Sequence, residues 1–248
     1  MFTLPWSHRL GVGIAALAFV LVVAADEGTW TDLLNDEKLE AWKNPSTEWI
    51  IAGDAGLDAK NPRRLEAKPG KGVVVNGPKG RIPNLITKAN YRDVEVHLEF
   101  LIPKGSNSGL KFEGLYEIQI RDTADEKELS GDSCGGIYPR AEERPKYHHI
   151  DHGIAPLTNA CRPAGQWQTL EAIFMAPRFD GKGNKTANAR ILKATLNGQL
   201  IHENVELLTP TGGNWVKKEI PEGPLLLQAD HGPVAFRNLR VRPYRSEP

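Results

Sequence analysis

The sequence predicts an all-β sandwich of two packed antiparallel sheets, and three observations point to it. Apolar and polar residues alternate with a period of two in segment after segment, as strands with one buried face require. Amphipathic helical periodicity is scarce. Turn chemistry recurs between the alternating runs: Asn197-Gly198 is a strong two-residue hairpin signal, and long stretches rich in Gly, Pro, Asn and Asp separate the rest. Strands at this spacing without helices bury themselves sheet on sheet.

Taken in chain order, the first element is not a strand. Leu10–Ala25 is an unbroken apolar run after His8-Arg9, ended by Asp26-Glu27, with small residues at Val23-Ala24-Ala25. It is short for a membrane span, and residues 1–25 read as a signal peptide; an uncleaved anchor is the alternative. Residues 26–248 are then expected to be exported, to the periplasm or outside, as one domain with no stable membrane insertion after cleavage. Strands are predicted near Trp49–Ala52, Gly72–Val75, Val94–Phe100, Ser108–Glu113, Tyr116–Arg121 and Trp167–Met175. Others follow near Ala189–Leu196, Gln199–Val205, Leu225–Ala229 and Val234–Val241. In Val94–Phe100 the residues Val94, Val96, Leu98 and Phe100 share one face and Glu95, His97 and Glu99 the other, which reads as a solvated outside. Tyr116–Arg121 repeats the pattern with Glu117, Gln119 and Arg121 outward. Asp122–Pro163 and Thr209–Gly223 read as long loops, where binding usually resides on a rigid scaffold.

Bulk properties narrow the partners. Lys plus Arg and Asp plus Glu each number 31, so no basic excess marks a nucleic-acid footprint. Only two cysteines occur, Cys134 and Cys161; in an oxidising compartment they form a candidate disulfide, with two free thiols as the alternative.

A chain-long series of motifs resembles the 3-keto-disaccharide hydrolase family. The series opens with Trp30–Trp42 and Tyr91–Phe100, and continues through the turn Asn107-Ser108-Gly109 with Leu110-Lys111-Phe112. Tyr116-Glu117-Ile118-Gln119-Ile120 with Asp122 resembles the family's "tyr-glu-x-gln-x-x-asp", and Gly135-Gly136-Ile137-Tyr138 its "gly-x-x-tyr". Leu196-Asn197-Gly198, Gln228, His231-Gly232 and Phe236-Arg237-Asn238-Leu239 complete the order. The sequence departs from the pattern at Gln168 after Trp167, at Ala229 between Gln228 and Asp230, and in a long His-rich insert over Arg144–Cys161. The resemblance implies a concanavalin A-like jelly roll with a sugar groove on one sheet. It also implies a 3-keto-glycoside substrate, cleaved or hydrated; an oxidoreductase partner is one source of its ketone, which the sequence itself does not reveal.

Ordinary retaining hydrolysis needs two carboxylates flanking the glycosidic bond. Here the strand that would carry them reads Glu117-x-Gln119-x-x-Asp122, so that route is impaired. A 3-keto sugar offers another. The ketone acidifies the hydrogen on C2, one base removes it, and the group on C1 leaves by β-elimination. That needs a base titrating near neutrality, a cation or donor for the enolate oxygen, and an acid for the leaving group. His231 is the first candidate base or acid, and Glu117 the second. Lys111 and Arg237 are candidates for polarising the ketone. Asn107, Gln119, Asp122, Tyr138 and Gln228 are expected hydroxyl contacts. His148, His149, Asp151 and His152 form the most metal-like cluster, a candidate site for a divalent cation. Trp215 is the tryptophan best placed to stack on a sugar. The alternative to an enzyme is a non-catalytic carbohydrate-binding domain, which needs the groove but no tuned base.

Overall fold

The computed structural model describes Met1 and residues 28–245, apart from Asp36 and Pro78. The expected signal peptide falls outside the described residues. Two antiparallel sheets carry the fold. The larger contains β1 (Thr31–Asp32), β2 (Ile50–Asp58), β3 (Asn61–Val75), β5 (Val94–Leu101), β10 (Gln168–Met175), β13 (Ala189–Leu196), β14 (Gln199–Leu207) and β16 (Ala235–Pro243). Its spatial order is β14-β13-β10-β5-β16-β3-β2, with β1 on the free length of β16. The smaller runs β4 (Leu85–Ile86), β15 (Leu226–Leu227), β6 (Asn107–Phe112) and β7 (Tyr116–Arg121). Two short ladders lie outside these sheets, β8 (Ala141–Glu142) with β9 (His148–His149) and β11 (Arg178–Phe179) with β12 (Lys185–Ala187). The only helical turn among the described residues is the 3-10 segment Gly213–Val216.

The alternation read from the sequence decides what is buried. Val94, Val96, Leu98 and Phe100 of β5 and Leu110, Phe112, Tyr116, Ile118 and Ile120 of the facing strands meet in one core. Phe112 of the smaller sheet stacks on Phe174 of the larger, centroids 4.7 Å apart and planes 11° from parallel, so an aromatic pair joins the layers. This is the jelly-roll sandwich expected. Asn197 and Gly198 both take positive φ (53° and 79°), as a two-residue hairpin between β13 and β14 requires.

Two sequence expectations change. Trp49–Ala52 and Gly72–Val75 are the ends of one long hairpin, β2–β3, whose far half packs Ala55, Leu65 and Ala67 with Trp167 over the outer face of the larger sheet. Most of β3 between Asn61 and Lys71 is exposed on both sides, so no clean alternation marks it. The candidate disulfide is replaced by two free thiols. They are hydrogen-bonded to each other, which raises the buried Cys134 thiol and lowers that of Cys161 to about 7.

Candidate active site

The outer face of the smaller sheet carries the site. Register sets Lys111 opposite Glu117 and Gly109 opposite Gln119. The missing side chain at Gly109 makes room for the Glu117 carboxylate, with which a methyl group there would collide. Lys111 Nζ lies 3.0 Å from Glu117 Oε2. Burial pushes the Glu117 carboxyl above its ordinary range, and the Lys111 ammonium only partly opposes this. Next along the sheet, the backbone N–H of Gln228 donates to Gly109 O (2.9 Å) and Ser108 Oγ donates to Gln228 O (2.7 Å). Gln228 is 7% exposed, and its Oε1 has no hydrogen-bond partner.

The turn after β15 presents the histidine. His231 Nδ1 stands 2.6 Å from Asp230 Oδ1. A carboxylate only accepts, so Nδ1 carries the proton and Nε2 is left as the acceptor. The Asp230 hydrogen bond raises the His231 imidazole above its ordinary value, and His231 in turn lowers the Asp230 carboxyl. Asn76, fully buried, clamps this turn. Its Nδ2 donates to Ala229 O (3.0 Å) and Gly232 O (2.8 Å), and its Oδ1 accepts from Val234 N (2.7 Å). Asn84 Oδ1 accepts from Ala229 N at 2.7 Å. Gly232 is required because a side chain there would strike Ser106 Oγ.

A third wall comes from the insert and the loop after β14. Gly135–Tyr138 runs along β7, with Tyr138 N donating to Glu117 O at 3.1 Å. That register puts Tyr138 on the same side as Glu117. Tyr147, Glu143, Gly212–Asn214 and Lys217 complete a groove of about 380 Å3 shared with Asn107, Lys111, Glu117, Gln228 and His231. Tyr138 and Tyr147 hydroxyls lie 2.6 Å apart.

Six expected residues therefore converge: Asn107, Lys111, Glu117, Tyr138, Gln228 and His231. Three do not. Arg237 lies on the outer face of the larger sheet, where its Nε donates to Glu99 (2.7 Å) and its guanidinium sits 4.0 Å from the Trp167 ring. Phe236 points into the core, so period two sends Arg237 away from the groove. Asp122 breaks parity with Glu117 and accepts from Gly105 N (2.9 Å), closing the turn before β6. Gln119 shares the right face but is 1% exposed, donating to Asp132 Oδ1 at 2.8 Å. The metal-like cluster disperses. Alternation on β9 sends His148 toward Glu142 (3.9 Å) and His149 toward Tyr138 (3.0 Å). Asp151 is held by Arg140 at 2.6 Å, and His152 is exposed. Among the described residues no three His, Cys, Asp or Glu side chains are grouped as metal ligands. Trp215 is fixed outside this groove, donating to Ala141 O at 3.1 Å, and lines a neighbouring cleft. Asp230, Asn76, Tyr147, Glu143 and Lys217 were missed; for Asp230, adjacency to His231 was the available signal.

The jelly roll with a polar groove that holds His231 belongs to a carbohydrate-active enzyme, as the family match shows. The chain belongs to the 3-keto-alpha-glucoside-1,2-lyase-like domain family, whose model matches residues 29–242. No curated protein sequence matches it. Among solved structures, a proposed glycosyl hydrolase from Parabacteroides distasonis superimposes with a TM-score of 0.59 at 22% identity, covering 87% of this chain and 84% of that one. A second from the same organism gives 0.56 at 18% identity, with 87% and 100% covered. At these identities the likeness shows the fold.

Proposed function

We propose that the protein is an exported enzyme that cleaves 3-keto-glycosides by C2 proton abstraction and β-elimination, and that water adds back to complete hydrolysis. The single observation carrying this is the Asp230–His231 pair, 2.6 Å apart, sharing one groove with Lys111 and the buried Glu117. His231 Nε2 takes the proton from C2. The electron pair of that C–H bond moves onto the C3 carbonyl oxygen, giving an enediolate that the Lys111 ammonium stabilises. Asp230 offsets the positive charge that forms on the imidazole. The enediolate re-forms its carbonyl, the C1–O bond breaks, and a 3-keto-2-hydroxy-glucal remains. Glu117 holds Lys111 in place, while Asn107 and the unpaired Gln228 Oε1 serve sugar hydroxyls. The ketone comes from a separate oxidoreductase acting on the C3 hydroxyl.

The test is incubation of residues 26–248 with a 3-keto-glucoside and its unoxidised parent in D2O, with and without EDTA, followed by mass spectrometry. Cleavage of the keto sugar alone, with deuterium at C2, is expected. Loss of turnover in EDTA would place a divalent cation in the step assigned to Lys111. No turnover by a folded protein that still binds sugar would make it a carbohydrate-binding domain instead.

A further inference from the structure

The elimination leaves one proton unassigned. An alkoxide departing from C1 is a poor leaving group unless it is protonated as the bond breaks, a contribution of about 10²–10⁴ in rate. His231 and Asp230 face the C2 hydrogen in this reading. The same groove is lined by two tyrosines of a hydrogen-bonded chain of titratable groups for which the base step has no use. His149 Nε2 lies 3.0 Å from Tyr138 Oη, which lies 2.6 Å from Tyr147 Oη. His149 itself is on the surface and outside the groove lining, whereas both tyrosines line it.

We propose that Tyr147 is the acid for the leaving group and that His149 resupplies it through Tyr138. The assignment rests on the elimination reading above. As the C1–O bond breaks, Tyr147 gives its hydroxyl proton to the departing oxygen. The Tyr138 proton moves to Tyr147, the His149 Nε2 proton moves to Tyr138, and solvent returns one proton to the exposed imidazole. The relay leaves both tyrosines neutral, and the proton taken by His231 is returned to solvent after the product forms, restoring the neutral base.

Three further features fit a relay. The β8–β9 ladder pairs His149 with Ala141, so the imidazole is mounted on a strand. Its ring meets Tyr138 edge-on at 5.2 Å and 88°, and Tyr147 at 5.7 Å and 77°, which packs the three rings as one unit. Burial raises both phenols above their ordinary range, so each holds its proton at neutral pH.

The experiment is a series of 3-keto-glucosides whose leaving groups run from nitrophenol to a simple alcohol, assayed in D2O with wild type, Tyr147→Phe and His149→Ala. The loss in kcat/KM is expected to grow with leaving-group basicity, reaching about a hundredfold for the alkyl glycoside with Tyr147→Phe, within the range for a lost general acid. Deuterium should then appear at C2 of uncleaved substrate, because abstraction outruns departure. Added imidazole should restore part of the His149→Ala loss, which a purely structural histidine would not permit. A leaving-group dependence identical in all three proteins overturns the relay and makes His231 both base and acid. Absence of both C2 exchange and cleavage in wild type overturns the elimination reading and the relay together.

Discussion

At the scale of single residues, the proposed reaction requires His231 to be neutral at Nε2 while Asp230 holds Nδ1–H. The raised imidazole makes His231 the stronger base but also protonates it at a higher pH than a free histidine. On that proposal turnover should be lost as pH falls, at a higher pH than an ordinary imidazole would impose. Asp230→Asn should move that limb of the kcat/KM profile to lower pH and reduce the plateau. His231→Ala should abolish turnover while sugar affinity, read by calorimetry, stays within about tenfold; an unfolded variant would instead mark the histidine as structural. Asn76 acts one step back. Removing an amide that makes three buried hydrogen bonds leaves their partners unpaired, so Asn76→Ala should cost on the order of 1–3 kcal/mol per stranded group in urea unfolding. Because those bonds hold the Ala229–Val234 turn, kcat should fall in the same variant with little change in KM.

At the scale of elements, the two faces of each sheet do different work. Arg237 bridges β16 to Glu99 of β5 and covers Trp167, which also donates to Asp54 of β2 (3.1 Å). It therefore ties the long β2–β3 hairpin to the sheet. Arg237→Ala should lower the melting temperature and leave kcat/KM for a 3-keto-glucoside within about twofold, whereas a role on the ketone would cost far more. Between the layers, Phe174→Ala removes the partner of Phe112 and should destabilise the protein by about 3–5 kcal/mol. Both ring-bearing strands were legible from alternation alone. The β2–β3 hairpin was not, because its distal half buries a few small residues against a tryptophan that arrives from β10's flank.

At the scale of the whole molecule, Glu113 couples stability to pH. It sits at positive φ (55°) in the turn between β6 and β7, 4% exposed, and neither carboxylate oxygen has a hydrogen-bond partner. Burial, with Glu219, Asp93 and Glu222 nearby, pushes it up to about 8, and Arg178 only partly compensates. The folded carboxyl thus stays protonated where the unfolded one, near 4.5, has ionised. Its contribution is fully present below that lower value and is lost as pH rises toward 8, at a limiting slope of about 1.4 kcal/mol per pH unit. Unfolding free energies of wild type and Glu113→Gln should diverge across this window, the variant being the flatter. Parallel curves would mean that the carboxylate is ionised in the fold.

Read alone, the sequence determined the sandwich, most strand positions and the Asn197-Gly198 turn, because period-two burial and left-handed turn residues are local properties of the chain. It also determined that Glu117, Gln119 and Arg121 face away from the core. Motif order placed Asn107, Lys111, Glu117, Tyr138, Gln228 and His231 in one family of expectations. Which of two polar faces becomes a groove was decided only in three dimensions. The outward face of β5 is sealed by arginines from β16, while that of β6–β7 is left open and walled by the insert. Tyr147 lines the groove, His149 backs it through Tyr138 and Asn76 clamps the His231 turn, all from segments far apart in the chain, through contacts that no spacing encodes. Periodicity assigns a side chain to a face; only packing of the two sheets and their loops assigns that face a neighbour.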